Sequence, residues 1–448
     1  MTTPLLLTVA GLGIVAAGLV AWRWPRIAIV GVALAPVVDR YLISLALPTE
    51  QRASVPYLSE ALLAVVAVVV LFQATRRGTL RRGFTHPTLW LLAAFTLVAA
   101  LSAVVNAVPP VVAIAGIVFT VEAAALFVLA RVVPFDIHQA RLAVAAFCGL
   151  VAIAATLAMG QVLIHPDFLG LESFAGRFGE GARVTSFLVN PNMLGAMLAM
   201  ALPFTVLVAS QREGAYRTAA WAVSLLLALA LLYTFSRGAW FALAMATLLV
   251  GLVVERRLII GMVLLAVVTF SIAMVLPRHL AYPERDREQF DLIAATLGRL
   301  EALGEGDLRV QFVENALPIA ADHPLIGAGP GRYGGAVARN FGSPLYETYT
   351  AGTVPRDRTV DNFWLHLLVE TGVIGLSLLV AAIGIVVAGV LRAARAANGD
   401  RRILLIGSTA VAVVIGVASL TEMLLEGNTT TFPMWLMLGI AALSAEGQ

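Results

Sequence analysis

Lysine is missing from this chain of 448 residues, and all 30 of its basic residues are arginines. Cysteine occurs once, at Cys148, which excludes an intramolecular disulfide and a metal site built from cysteines. Charged residues make up only 13% of the chain, whereas a soluble globular domain has about 25%. The formal net charge of +3 is also small, and we predict no nucleic-acid partner.

Apolar residues take the place of the missing charge. They make up 60% of the chain, and the mean hydropathy is +0.91. A chain exposed to lipid finds no water there, so its backbone groups must be satisfied within the chain. These long apolar runs predict an all-α, polytopic membrane helix bundle.

Apolar runs of about 20 residues are long enough to cross the bilayer as helices. Twelve such runs lie near residues 4–22, 27–47, 58–74, 87–107, 110–130, 142–164, 188–209, 218–235, 238–254, 258–276, 364–391 and 403–420. A shorter run at 432–445 is a thirteenth candidate. The run at 4–22 has no basic segment before it and no obvious cleavage site, so we expect a retained anchor.

Arginines recur in every second connection between these runs. The set comprises Arg23, Arg26, Arg76, Arg77, Arg81, Arg82, Arg131, Arg141, Arg212, Arg217, Arg256, Arg257, Arg392, Arg395, Arg401 and Arg402. Because cytoplasmic loops carry the excess of basic residues, we place these connections in the cytoplasm. The N-terminus and the other connections, including residues 277–361, are then expected outside.

Residues 277–361 form one long polar segment, which divides the sequence into three parts. We expect transmembrane helices in 1–276 and in 362–448, and an extracytoplasmic helical loop domain between them. Within the loop, apolar residues at helical spacing predict two amphipathic helices. One carries Phe290, Ile293, Leu297 and Leu300, and the other begins near Asp307 and carries Val310, Val313 and Leu317.

Two asparagines follow the predicted outer loop 165–187, which also contains Arg183. Asn190 precedes Pro191 and can cap the next helix, and capping alone can explain its presence. Asn192 lies beyond the cap in an apolar run, so capping does not explain it. We therefore treat Asn192 as a candidate for binding a ligand.

Two more arginines lie on the predicted outer side. Arg237 occupies the tight turn at 236–238, where it is either a snorkelling anchor or a ligand for an anion. Arg309 lies in the first turn of the predicted second loop helix, where a cation is unfavourable. It faces either a specific anion or an ordinary ion pair with Asp307 or Glu305.

Polar residues also mark the return of the chain to the membrane. The glycine-rich stretch at 327–335 predicts either a plain turn or a turn whose backbone amides face a phosphate. After Asp361, the residues Asn362, His366 and Glu370 share one helical face. That face points into the bundle or a wet cavity, or it hydrogen-bonds other helices.

Together these residues resemble the O-antigen ligase and polymerase superfamily of bacterial envelope glycosyltransferases. The resemblance extends from about residue 180 to 376 and lies in the order and spacing of short motifs. They are Arg-x-x-x-Phe-x-x-Asn-Pro-Asn-x-x-Gly at 183–195, Ser-Arg-Gly at 236–238, Arg309 before an amphipathic run, His-Pro-Leu-Ile-Gly-Ala-Gly at 323–329, Asn-Phe-Trp-Leu at 362–365 and Glu-Thr-Gly-Val-Ile-Gly at 370–375.

The resemblance implies a multi-pass protein of the bacterial cytoplasmic membrane that uses a glycan carried on a polyprenyl diphosphate. The glycan passes to a sugar hydroxyl of a glycan or lipid-linked acceptor at the outer leaflet, and the carrier diphosphate is released. Arginine forks bind phosphate bidentately, so we expect Arg183, Arg237 and Arg309 to clamp the diphosphate. We expect no metal and no cofactor, because no outward carboxylate cluster suits Mg²⁺ or Mn²⁺. Further candidates for substrate binding are Asn190, Asn192, Asn362 and Glu370.

A general base must accept the proton of the acceptor hydroxyl. Ligases of the family usually carry histidine just before the asparagine, whereas this chain has Asp361 there. The residues leave either Asp361 or His366 as the base. We choose Asp361 because it is nearer the outer water layer, and we assign His366 to support. The departure leaves a polysaccharide polymerase, or a ligase for another glycan, as open as a lipopolysaccharide ligase.

A transporter or flippase is the alternative class. Charged residues at or within apolar runs can mark an ion pathway, and this chain has Asp39, Arg40, Glu60, Glu122 and Glu422. We find no inverted repeat with paired broken helices, and an outer segment of 85 residues is long for a transporter loop. We therefore favour the enzyme.

Overall fold

The fold is that of a computed structural model, which describes residues 3–46, 58–165, 167–170, 183–188, 190–276 and 308–446. The described residues are predominantly helical, so the predicted all-α class is confirmed. In chain order the helices are α1 (Thr3–Arg23), α2 (Pro25–Ala46), α3 (Leu58–Arg77), α4 (Leu80–Gly83), α5 (Pro87–Val105), α6 (Pro110–Val121), α7 (Ala124–Val132), α8 (Ile137–Leu163), α9 (Pro191–Gln211), α10 (Gly214–Tyr233), α11 (Arg237–Val253), α12 (Arg256–Val275), α13 (Leu308–Asp322), α14 (Ala336–Phe341), α15 (Pro344–Thr350), α16 (Phe363–Ala396), α17 (Gly399–Ala418) and α18 (Asn428–Glu446).

Every predicted apolar run coincides with helical structure. Within the described residues, eight helices are long and apolar enough to cross a membrane, or nine if a bent pair counts as one span. That pair is α6 and α7, which meet at an angle of 51°. The run predicted at 110–130 is therefore a bent span rather than one continuous helix, because the helix breaks around Glu122 and Ala123.

The centre of the bundle consists of α9, α17 and α18. In α9, 83% of the apolar window is buried within the protein, against 22% in the peripheral α10. Glycines bring the central helices close to their neighbours. A Cβ at Gly439 would lie 2.9 Å from Phe127 Cα of α7, so only glycine allows α18 to pack at this distance.

Ion pairs join the arginine-rich connections at one end of the bundle. Arg131 Nη1 lies 2.8 Å from Glu446 Oε1, and Arg141 Nη1 lies 2.9 Å from Asp400 Oδ2. Asp400 also pairs with Arg212. These contacts bring three of the predicted cytoplasmic connections and the end of α18 together, and we call this the basic end. The side of the membrane that it faces stays a prediction.

The opposite end carries residues 308–361, and we call it the loop end. Here α13 to α15 pack around a small core that contains Phe312, Ala316, Ile319, Tyr333 and Tyr346. The predicted first loop helix at 290–300 lies outside the described residues.

The second loop helix exists, but the apolar residues named in it do not pack into the core. Val310, Val313 and Leu317 are 48%, 41% and 55% exposed, whereas Phe312, Ala316 and Ile319 are buried. Both sets recur at helical spacing, so periodicity alone could not choose between them. The larger ring of Phe312 is the one that joins the core with the two tyrosines.

Cysteine labelling tests which end faces out. In a Cys148→Ala background, Asp357→Cys should react with an impermeant maleimide in intact cells, because Asp357 is exposed at the loop end. Arg81→Cys, exposed near the basic end, should react only after permeabilisation. Ser343 is unsuitable for this test because it is buried. The reverse labelling pattern would contradict the predicted orientation.

Candidate active site

A pocket at the loop end contains two of the three predicted arginines. We call it the arginine pocket, and it is lined by Arg183, Asn192, Phe235, Ser236, Arg237, Gly238, Thr421 and Glu422. These residues come from four separate parts of the chain: the segment 183–188, the start of α9, the α10–α11 turn and the α17–α18 connection. The fold thus brings together residues that are far apart in the sequence.

Hydrogen bonds fix Arg183 across this pocket. Its Nε donates to the carbonyl of Thr234 at 2.7 Å, and its Nη2 donates to Asn192 Oδ1 at 2.5 Å. Because Thr234 ends α10 and Asn192 lies in the first turn of α9, the guanidinium joins two helix ends.

Gln161 of α8 holds the segment that carries Arg183. Its side-chain oxygen accepts hydrogen bonds from the amides of Thr185 and Ser186, both at 3.0 Å. Gln161 is fully buried, and sequence reasoning missed it. The available signal was a lone glutamine in an apolar run, because a polar side chain within the membrane needs a hydrogen-bond partner from the protein.

The two asparagines have different surroundings. Asn190 caps α9, since its Oδ1 accepts from the amides of Asn192 at 2.8 Å and Met193 at 3.4 Å. Capping was the alternative explanation of this residue, and Asn190 is not part of the pocket lining. Asn192 is, and its side-chain amide donates to Glu422. Glu422, which sequence analysis assigned to a possible ion pathway, thus lies beside the arginines.

The turn that carries Arg237 is tightly packed. Phe235 has a φ of +50°, a left-handed conformation that is uncommon for a residue other than glycine. A Cβ at Gly238 would overlap Thr421 Oγ1, and a Cβ at Gly195 would lie 2.9 Å from Ser236 Cβ. Both glycines therefore permit close approach around Arg237.

Gly238→Ala should disturb this packing. The added methyl must displace Thr421, and Glu422 with it, so we expect a loss of about 1–3 kcal/mol in stability and lower activity. Gly384→Ala in α16 is the matched control, because no atom lies within 4 Å of the Cβ it would add. Thermal unfolding and activity of the two variants compare them. Equal behaviour would show that the contact with Thr421 is unimportant.

A second cluster forms where α16 breaks. Gly372 has a φ of +65° inside this helix, so the carbonyls of Val369 and Glu370 lose their helical partners. They accept instead from the amides of Ala328 at 2.8 Å and Gly329 at 3.1 Å. The glycine-rich turn at 327–335 therefore docks onto the break.

The buried carboxylate of Glu370 holds the rest of this turn. Its two oxygens accept from the amides of Gly331 and Tyr333, each at 2.7 Å. The sequence predicted either a plain turn or a turn whose backbone amides face a phosphate, and neither includes these bonds. Instead, the amides of Gly331 and Tyr333 face a carboxylate of the chain itself. Burial raises the pKa of the Tyr333 hydroxyl, which donates to the carbonyl of Phe312 at 3.1 Å.

His366 supports the same turn. Its Nδ1 bonds to the carbonyl of Tyr333 and lies 3.6 Å from Glu370 Oε1, and its side chain is buried. His366 and Glu370 thus share one face. Asn362 does not join them, because it caps α16 and its Oδ1 accepts from the amide of Leu365 at 3.0 Å. Its position before the first helical turn explains the difference.

Asp361 precedes this cap and lies between the two clusters. On one side, the amide of Val360 donates to the carbonyl of Gly334 at 2.9 Å. On the other side, the amide of Phe363 donates to the carbonyl of Ser419 at 2.9 Å. Ser419 leads directly into the α17–α18 connection that lines the arginine pocket. Asp361 is thus held beside that connection.

Arg309 lies in the first turn of α13, which begins at Leu308. Its side chain is outside the described part of the chain, so its contact with the other two arginines stays a prediction. Among the described residues, His, Cys, Asp and Glu side chains form no group of three or more that could hold a metal ion.

Two further supports of the glycine-rich turn were missed. Glu426, in the α17–α18 connection, accepts from the amide of Ala336 at 3.0 Å. At the end of α5, Ser102 and Asn106 both donate to the carbonyl of Gly327, at 3.2 and 3.0 Å. In sequence each looked like an isolated polar residue near the end of an apolar run.

Glu370→Gln should loosen the glycine-rich turn. The amide group keeps one acceptor but turns a donor toward another donor, so we expect a loss of about 1–3 kcal/mol. Hydrogen exchange at the Gly331 and Tyr333 amides should accelerate. Glu347→Gln is the control, because Glu347 is 52% exposed in a surface ion pair, which contributes little. Unchanged exchange in Glu370→Gln would contradict this view of the turn.

Part of the chain is similar to a known protein family. Residues 222–380 match the family model described as O-antigen ligase. The matched part extends from α10 into α16 and includes Arg237, Asp361 and the glycine-rich turn. No match was found among curated proteins.

The apolar helices are those of a multi-pass membrane protein, and residues 222–380 are similar to O-antigen ligases. This match confirms the predicted resemblance to the O-antigen ligase and polymerase superfamily. This supports an enzyme that acts on envelope glycans. Arg183, Asn192 and Glu422 lie outside the matched residues, yet they line one pocket with Arg237.

Proposed function

We propose that this protein is an envelope glycosyltransferase of the outer face of the bacterial cytoplasmic membrane. It transfers a glycan from a polyprenyl-diphosphate carrier to a hydroxyl of an acceptor glycan. The observation that carries the proposal is the presence of Arg183 and Arg237 in one pocket at the loop end. The O-antigen ligase match supports the reaction class.

The two arginines suit a leaving diphosphate. Charge builds up on the diphosphate as its bond to the sugar breaks, and donors already fixed in place stabilise that charge best. Arg183 is fixed by Thr234 and Asn192, and Arg237 is placed by a tightly packed turn. A planar guanidinium also matches two phosphate oxygens at once, which an ammonium group does not.

Glu422 places a negative group of the chain in the lining of the arginine pocket. It contacts Asn192, which in turn contacts Arg183. In our proposal the incoming diphosphate takes the place of this carboxylate beside the arginines. Asn192 can then turn its amide toward a phosphate or sugar oxygen.

The transfer itself is a single displacement in this proposal. The acceptor hydroxyl oxygen attacks the anomeric carbon of the donor sugar, and the bond from that carbon to the diphosphate oxygen breaks. The diphosphate leaves with the bonding electron pair, and the hydroxyl proton passes to Asp361. His366 and Glu370 do not touch the substrate in this proposal; they hold the glycine-rich turn in place. The carbonyl of Gly334 in that turn accepts from the amide of Val360, the residue before Asp361.

Transport is the alternative that an assay must separate from transfer. Two of the carboxylates that could mark an ion pathway make hydrogen bonds within the bundle. Asp39 accepts from the hydroxyl of Ser59 at 2.7 Å, and Glu60 accepts from the side-chain amide of Asn428 at 2.7 Å. These bonds support a role in joining α2, α3 and α18. Neither of these two hydrogen bonds requires an ion pathway.

Purified protein in liposomes, given a lipid-diphosphate oligosaccharide and a set of acceptor glycans, tests the proposal. We expect carrier diphosphate and a longer glycan to appear in equal amounts. Movement of intact donor between the leaflets without cleavage would instead establish transport. Cleavage without an extended product would reduce the activity to hydrolysis.

A further inference from the structure

A small cavity at the basic end lies between the α1–α2 connection, the end of α3 and the end of α7. Its volume is about 120 Å³. One water molecule requires only about 10–15 Å³ of such space, so the cavity can hold a larger group. Arg26 and Arg77 line it together with apolar residues that include Val70, Ala74 and Val132. We call it the basic pocket.

Hydrogen bonds hold the basic pocket in shape. Gly78, with a φ of +70°, follows the last residue of α3, and the amide of Thr79 then donates to the carbonyl of Ala74 at 2.9 Å. The buried side chain of Gln73 donates to the carbonyl of Trp22 at 2.8 Å and so joins α3 to the end of α1. The lining residues of α3 are therefore fixed relative to the α1–α2 connection.

Arg26 is held in position for a ligand. Its Nε donates to the carbonyl of Pro134 at 2.9 Å, which fixes the guanidinium against the end of α7. Its two terminal nitrogens make no hydrogen bond or ion pair with a described residue, and neither does the side chain of Arg77. A guanidinium held by one nitrogen can still offer two N–H groups to two oxygens of one phosphate.

The arginines near this pocket have no acidic partner among the described residues. Elsewhere at the basic end, Glu255, Asp400 and Glu446 each pair with an arginine. At this end of α1 to α4, by contrast, the arginines that make no ion pair within the described part of the chain are Arg23, Arg26, Arg76, Arg77, Arg81 and Arg82. Their unbalanced charge attracts an anion from outside, as basic clusters at the cytoplasmic ends of membrane helices do.

Exposed aromatic rings lie beside the basic pocket. Trp22, Trp24 and Phe72 are each about half exposed, and the rings of Trp22 and Phe72 stack with their centroids 6.3 Å apart. Trp24 precedes Pro25 and Phe72 precedes Gln73, and both of these neighbours line the pocket. Because tryptophan is enriched at the headgroup level of membranes, we expect the pocket at the depth of the phospholipid phosphates.

We propose that the basic pocket binds the phosphate group of an anionic phospholipid from the surrounding bilayer. The phosphate oxygens accept from Arg26 and Arg77, and Val132 and Pro134 contact the glycerol and the first methylene groups. A free phosphate ion has no such apolar part, which favours the lipid. The bound phospholipid then joins α1 to α3 with α7. This binding is separate from glycan transfer, because the arginine pocket lies at the opposite end of the bundle.

Titration of the purified protein with phosphatidylglycerol and with phosphatidylcholine, followed by native mass spectrometry, tests this site. Both lipids carry a phosphate, but choline adds a positive charge that the arginines repel, so wild-type protein should bind phosphatidylglycerol more tightly. Arg77→Gln should lower this preference about tenfold, because a charged hydrogen bond to the phosphate is lost. Arg81→Gln is the matched control: it removes the same charge from an exposed arginine outside the pocket lining and should leave the preference unchanged.

Because Arg77 makes no bond to a described residue, Arg77→Gln should unfold at the same temperature as wild-type protein in the absence of added lipid. Inorganic phosphate at the same concentration as phosphatidylglycerol should leave the bound lipid in place. Displacement of the lipid by inorganic phosphate would overturn the lipid as the source of the phosphate. An equal loss of preference in Arg77→Gln and Arg81→Gln would show only diffuse surface attraction and overturn the site.

Discussion

Arg237→Lys is expected to lower the rate of glycan transfer by about 100-fold or more, because one fixed donor to the leaving group is lost. Lysine keeps the positive charge but loses the planar fork that binds two phosphate oxygens. If the interaction strengthens as the bond breaks, kcat should fall more than KM rises. Arg237 begins α11, so a lysine there leaves the helix intact.

Arg183→Lys should show the same loss of rate together with a structural effect. Lysine cannot reproduce both the bond to Thr234 and the bond to Asn192. The melting temperature should therefore fall in Arg183→Lys and stay near that of wild-type protein in Arg237→Lys. Arg339→Lys is the matched control, because Arg339 is exposed on α14. Full activity in Arg237→Lys would reduce this residue to a surface anchor.

Asp361→Asn is expected to lower transfer by about 10²–10⁴-fold, the usual contribution of a general base. Asparagine has nearly the same shape and cannot accept the proton. Because the ligases that this chain resembles usually carry histidine at this position, Asp361→His should keep more activity than Asp361→Asn. That comparison distinguishes the loss of a proton acceptor from a change in the shape of the side chain.

His366→Gln is expected to affect mainly stability, in contrast to Asp361→Asn, which is expected to affect mainly the rate of transfer. His366 is buried against Glu370 and the carbonyl of Tyr333, so its replacement should lower stability and have a smaller effect on the rate. Both variants should be compared at matched folding, measured by thermal unfolding. If His366→Gln abolished turnover while Asp361→Asn retained it, the deeper histidine would be the base.

The helix bundle could largely be predicted from the sequence, because each span is a local property. A run such as 364–391 is apolar over its full length, and α16 covers it. The alternation of arginines likewise requires no knowledge of tertiary contacts, and the pairs at Asp400 are consistent with it. The break between α6 and α7 was missed because no proline or glycine marks it.

The candidate site was only partly predictable, because most of its contacts join distant residues. Arg183 and Arg237 were named from short motifs, but their common pocket depends on the connection that carries Glu422. Glu426 reaches Ala336 across 90 residues of sequence, and no local pattern indicates that pairing. Asn362 was assigned to a shared face because spacing alone does not distinguish a cap from the first helical turn.

The most direct test of the account is a structure of the protein in a lipid nanodisc with bound polyprenyl diphosphate. We predict that the diphosphate lies within hydrogen-bond distance of both Arg183 and Arg237, with Glu422 turned away from Asn192. A diphosphate bound at the basic end, beside Arg131 or Arg212, with an unoccupied arginine pocket would contradict the account.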